Sequence, residues 1–98
     1  MKTLTKKEII AMLSNIVNES IDRYTLAKWA GKFAKDITEG RVVYEIINHN
    51  KEILDYLNIL SVSHFRESEV DPSHTGEDVW SYSIDYYKQV LSIVTKLK

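Results

Sequence analysis

Cysteine is absent from this 98-residue chain. That excludes disulfides and thiolate zinc sites, and it fits a reducing, cytoplasmic compartment. Proline occurs once and glycine three times, too little for a disordered or collagen-like chain. No apolar run approaches the ~20 residues that a membrane-spanning helix needs. Lys2, Lys6 and Lys7 precede Ile9, Ile10 and Leu13 in the manner of a signal peptide. Ser14, Asn15, Asn18 and Glu19 then interrupt the apolar run, and no small-residue cleavage site follows, so the segment reads as a first helix. Glycine-rich phosphate cradles and serine nucleophile elbows are also missing. No catalytic residue, cofactor or metal site is therefore expected.

What is present suits one small domain. Apolar residues make up 44% and charged residues 28%, ordinary for a globular protein with one modest core. The net charge of −1 is unevenly spread. Residues 1–40 carry seven Lys/Arg and five Asp/Glu, and residues 41–65 carry two and three. Residues 66–86 carry Arg66 alone against Glu67, Glu69, Asp71, Glu77, Asp78 and Asp85, a balance of −5. The last twelve residues carry three lysines and no acid. The acidic segment is the most unusual feature of the sequence.

The apolar spacing predicts an all-α fold, a compact irregular bundle of four to five helices in a single domain spanning 1–98. Thr5 caps the first helix and Glu8 completes a capping box, with Leu4 and Ile9 as its hydrophobic staple. Ile9, Ile10, Leu13, Ile16 and Val17 then recur at helical spacing. Asp22 caps a second helix whose face is Leu26, Ala30, Phe33 and Ile37, widened by Trp29. Gly40 ends it in a left-handed conformation. Val42, Val43, Ile46 and Ile47 read as a short third helix, although the valines also favour a strand. Asn50 caps a fourth helix carrying Ile53, Leu54, Leu57 and Leu60. Residues 61–82 read as one long acidic loop, with short extended pieces near 62–65 and 79–82. Ser83 caps the last helix, Tyr82 and Tyr87 staple it, and Tyr87, Val90, Leu91, Val94 and Leu97 form its buried face.

Several constellations could carry function. His49, His64 and His74 are the only imidazoles, and none pairs at helical spacing, so they read as surface or loop residues rather than zinc ligands. Asp71, Ser73 and Thr75 alternate like calcium ligands, with Gly76 sixth, but Tyr82 stands where a calcium loop needs a carboxylate. Lys28, Lys32 and Lys35, headed by Arg23, form a basic stripe on the second helix. A nucleic-acid regulator would lay such a stripe on phosphates, whereas a bundle helix simply solvates it. Trp29, Phe33 and Tyr87 belong to core faces. Trp80, Tyr82 and Tyr86 flank the acidic loop, where they either plug the end of the bundle or anchor a basic partner. A solvated loop and a protein-binding surface both account for the acidic charge itself.

The runs Leu4-Thr5-Lys6-Lys7-Glu8 and Ser20-Ile21-Asp22-Arg23, leading into Lys28-Trp29-Ala30, resemble a group of small bacterial immunity proteins. These neutralise toxin domains of contact-dependent growth inhibition and related polymorphic toxin systems. Ile53-Leu54-Asp55-Tyr56-Leu57 and the Tyr-rich entry Trp80-Ser81-Tyr82-Ser83-Ile84-Asp85-Tyr86-Tyr87 extend the likeness over most of the chain. The stretch 66–78 departs from it like an insertion. The resemblance implies a protein toxin as partner, usually a nuclease with a basic cleft, ribonuclease favoured, and no direct contact with nucleic acid, membrane or small molecule. It implies inhibition by acidic side chains that cover the cleft or sit beside it. The expected contact residues are Glu67, Glu69, Asp71, Glu77, Asp78, Trp80 and Tyr82.

Overall fold

A computed structural model describes residues 2–66, 69, 73, 76, 80 and 82–97. The described elements run β1 (Lys2–Leu4), α1 (Lys6–Val17), α2 (Arg23–Thr38), β2 (Val42–Tyr44), a 3-10 turn (Ile47–His49), α3 (Asn50–Leu60) and α4 (Ile84–Lys96). The fold is thus mostly helical, in rough accord with the expected all-α bundle, and adds a small sheet. β1 and β2 pair as a two-stranded parallel sheet, with Lys2, Thr3 and Leu4 opposite Val42, Val43 and Tyr44.

The local signals at the helix ends explain the helices. Thr5 Oγ1 accepts from the Glu8 amide at 3.1 Å. Glu45 adds a carboxylate at this helix end, accepting from the Lys6 amide at 2.6 Å, one residue on from the Thr5 amide that a capping box assigns to Glu8. Thr5→Ala is expected to cost about 1 kcal/mol, the usual worth of such a cap, and thermal denaturation measures it. An unchanged midpoint would mean that Glu45 alone suffices. Asp22 Oδ1 accepts from the Thr25 amide at 2.7 Å and starts α2.

α2 ends in a Schellman turn. The Arg41 amide donates to Asp36 O at 2.8 Å and the Gly40 amide to Ile37 O at 3.1 Å, with Gly40 at φ +77°. Arg41 then pairs with Asp36 at 2.7 Å and with Glu39. α1 ends the same way: the Ser20 amide donates to Asn15 O at 2.8 Å and the Glu19 amide to Ile16 O at 3.1 Å. Here the left-handed position is held by a glutamate, Glu19 at φ +60°.

Several expectations fail for identifiable reasons. The predicted third helix is β2 plus the 3-10 turn, because Leu4 and its neighbours offer Val42–Tyr44 a strand partner. Asn50 opens α3 but does not cap it. Its Oδ1 accepts instead from the Tyr44 amide at 2.8 Å, tying β2 to the helix. Ser83 precedes α4 with no side-chain cap bond. Residues 61–64 form turns rather than an extended piece, and the one antiparallel bridge among the described residues of the region joins Arg66 to Trp80.

The helices pack as two antiparallel pairs. α1 lies on α4, with Lys6 Nζ donating to the Leu97 carbonyl at 2.6 Å. α2 lies on α3. One core joins them: Leu4, Ile9, Leu13, Ile16, Leu26, Ala30, Phe33, Val42, Tyr44, Ile53, Leu57, Leu60, Tyr87, Val90 and Val94 are all buried. None of the described helices is long and apolar enough to cross a membrane.

Candidate functional site

The antiparallel pairing of the helices brings the end of α1, the start of α2, the end of α3 and the start of α4 to one end of the molecule. Arg23, the first residue of α2, organises that end. Its Nη1 donates to the Tyr82 carbonyl and to Tyr87 Oη, the latter at 3.2 Å. The guanidinium carbon lies 4.6 Å from the centroid of the Trp80 ring and 5.1 Å from that of Tyr87. Arg66 approaches the same Trp80 ring at 4.2 Å. Two cations thus hold an indole that remains 38% exposed. Cation–π contacts of this kind are worth about 0.5–1 kcal/mol each at accessible sites.

Beneath this cluster runs a buried polar chain. Tyr87 Oη meets Ser63 Oγ at 2.8 Å and Ser63 O at 3.2 Å. Ser63 Oγ donates to Leu60 O at 2.7 Å. Arg23, Tyr87 and Ser63 therefore link α2, α4 and the turn after α3.

A groove of about 500 Å³ opens beside Trp80. It is lined by Ile16, Ile21, Ile84 and Trp80, together with Glu19, Ser20, Asp22 and Arg23. Glu19 and Asp22 are exposed, whereas Arg23 is half-buried. Hydrogen bonds from the Thr25 side chain and then its backbone hold the Asp22 carboxyl below its ordinary pKa, so it is charged at neutral pH. The left-handed backbone of Glu19 costs about 1–2 kcal/mol in a residue with a Cβ. Glycine has no such cost but loses about 0.5–1 kcal/mol more on ordering. Glu19→Gly is therefore expected to stabilise the fold slightly, by about 0.5 kcal/mol, read as a raised urea midpoint. A lowered midpoint would show that the carboxylate does more than the backbone suffers.

The expected contact residues divide. Glu67, Asp71, Glu77 and Asp78 lie outside the described residues, as does His74. Glu69 is exposed beside Arg66: its Oε1 accepts from the Arg66 amide at 3.3 Å, and its own amide donates to Arg66 O at 3.0 Å. Trp80 is the half-open indole of the cluster. Tyr82 is half-buried, its carbonyl bound by Arg23 and its ring 4.8 Å from that of Tyr86. The bridge pairs Arg66 with Trp80, the two residues that flank the stretch 67–79 in sequence. That stretch carries five carboxylates and no lysine or arginine in sequence.

Two features of the site are not visible in the sequence pattern. Helical spacing puts Arg23 at the head of the basic stripe, but its guanidinium turns onto Trp80 and Tyr87, leaving Lys28, Lys32 and Lys35 as the exposed lysines of α2. The groove is hidden because Ile16 reads as part of the apolar face of the first helix and no spacing links it to Ile21 or Ile84. Among the described residues, no three His, Asp or Glu side chains converge to hold a metal ion. No protein-family model, no curated protein and no solved structure matches the chain.

Proposed function

We propose that this chain acts by binding another protein and carries out no reaction of its own. Specifically, it is read as an immunity protein that neutralises a toxin domain of a contact-dependent growth inhibition system. The toxin is a nuclease, ribonuclease favoured, whose active site the immunity protein covers. The observation that carries the reading is the Arg66–Trp80 bridge. It joins the two residues that flank the five-carboxylate stretch, one of them a half-exposed indole that lines a groove with Glu19 and Asp22. A nuclease cleft is basic because it holds a phosphate backbone. Opposed charge speeds encounter, and a rigid aromatic anchor slows release. Two cations fix the orientation of Trp80 before binding, which lowers the ordering cost of association.

The test is charge reversal. Glu77→Lys with Asp78→Lys is expected to weaken binding to the toxin encoded next to this gene by about tenfold or more, mainly through the association rate. Surface plasmon resonance reads the rates, and far-UV circular dichroism checks that helicity is unchanged. Undiminished binding by the reversed protein would remove the acidic stretch from the interface. The competing reading, a nucleic-acid regulator using Lys28, Lys32 and Lys35, predicts affinity for RNA or DNA that falls steeply with salt. A low-salt filter-binding assay with retention of either nucleic acid would favour it over the toxin reading.

A further inference from the structure

We propose that the groove beside Trp80 is a subsite for one long basic side chain, arginine or lysine, of a protein partner. The inference rests on the reading that the partner is basic, and it names a second contact, separate from the 67–79 stretch. Ile16, Ile21 and Ile84 supply apolar lining, suited to the methylene stem of such a side chain. Glu19 and Asp22 line the same groove, and both are exposed. The ion pairs among the described residues involve Asp36, Glu39, Glu52 and Asp85, and neither Glu19 nor Asp22. Glu19 is therefore available to an incoming cation, and Asp22 adds its negative charge while its Oδ1 caps α2.

Burial orders the charges of the groove. The one cation of the lining, Arg23, is half-buried and engaged by the Tyr82 carbonyl, the Tyr87 hydroxyl and the two rings. The carboxylates stand further out, so a partner meets negative charge first. A wholly apolar side chain would fit the lining but would strip water from two charged groups without replacing it. An acidic side chain would meet like charge. A long cation satisfies both halves of the groove, and an arginine fork can engage carboxylate oxygens in pairs.

Nuclear magnetic resonance of the full chain tests this with small probes and no toxin. The isotope-labelled protein is titrated with Nα-acetyl-arginine amide and, separately, with Nα-acetyl-norleucine amide, which keeps the stem and lacks the charge. The arginine probe is expected to shift the methyl signals of Ile16, Ile21 and Ile84 and the indole signal of Trp80 saturably. The norleucine probe should bind about fivefold more weakly, the difference that two solvent-exposed ion pairs supply. Glu19→Gln with Asp22→Asn should abolish that difference, while the asparagine introduced by the second change still caps the helix. Equal response to both probes, an unchanged preference in the double variant, or shifts scattered over other acidic surfaces would overturn the subsite. If the subsite fails while charge reversal at Glu77 and Asp78 still weakens toxin binding, the binding function stands and the groove is not part of it. If the subsite holds and charge reversal has no effect, the acidic stretch falls and the groove survives.

Discussion

Leu13→Ala is expected to lower the stability of the folded chain by about 3 kcal/mol, within the range of buried leucine truncations. Leu13 is fully buried and sits in the middle of α1, the helix that packs on α4. Truncation removes three carbons from an apolar environment and leaves a hole that two clamped helices cannot close. Small domains hold about 5–15 kcal/mol in total, so the loss should show as a large drop in urea midpoint at constant slope. Ile93→Ala provides the control. Ile93 lies on α4 but is 41% exposed, and its truncation should cost well under about 1 kcal/mol. Similar losses at the two sites would mean that the α1–α4 seam does not close as described.

The same chemical change should have opposite signs at two buried tyrosines. Tyr87→Phe is expected to destabilise by about 2 kcal/mol, because a buried hydroxyl there serves a charged donor and a serine together. Its loss leaves Arg23 Nη1 and the Ser63 groups short of a partner. Tyr44→Phe is expected to stabilise by about 1 kcal/mol, because an unsatisfied buried hydroxyl carries a desolvation cost that phenylalanine removes. Tyr44 is 1% exposed and its hydroxyl has no hydrogen-bond partner among the described residues. Parallel urea titrations of the two variants decide the matter, and a shared sign would refute the contrast.

A pH series adds a second readout. Burial, and then the charge of Glu45, push the Tyr44 hydroxyl above its usual value of 10.0. The folded chain therefore holds this proton more tightly than the unfolded chain does. The corresponding stability is complete below about pH 10 and declines as pH rises beyond it. Burial raises Tyr86 in the same direction, so Tyr44→Phe should soften the alkaline loss without removing it.

How much of the fold is legible in the sequence depends on how far apart the partners lie in the chain. Thr5, Asp22 and Gly40 act on amides or carbonyls close by in sequence, and each is readable where it stands. The parallel sheet is not. β1 has three residues, too few for a pattern, and its partner is some forty residues away. Val42 and Val43 suit a strand or a short helix, and only the presence of β1 decides between them. Asn50 resembles a cap because side-chain amides cap helices, yet a nearby strand amide competes successfully for it. At the site, the aromatics Trp80 and Tyr82 are visible as types. Their fastening is not, since Arg23 reaches across 59 residues to the Tyr82 carbonyl. Charge clustering is written in the sequence directly. The Arg66–Trp80 bridge that joins the residues on either side of it belongs to the tertiary structure.

The pairing of α1 with α4 has a consequence for biosynthesis. A ribosome delivers the chain from its amino end, so α1 emerges with Ile9, Leu13 and Ile16 long before its cover exists. α2 and α3 meet early, being neighbours in sequence, and can fold together as a local hairpin. α1 must wait for α4, made after α2 and α3, and during that interval its apolar stripe is open to chaperones or to other nascent chains.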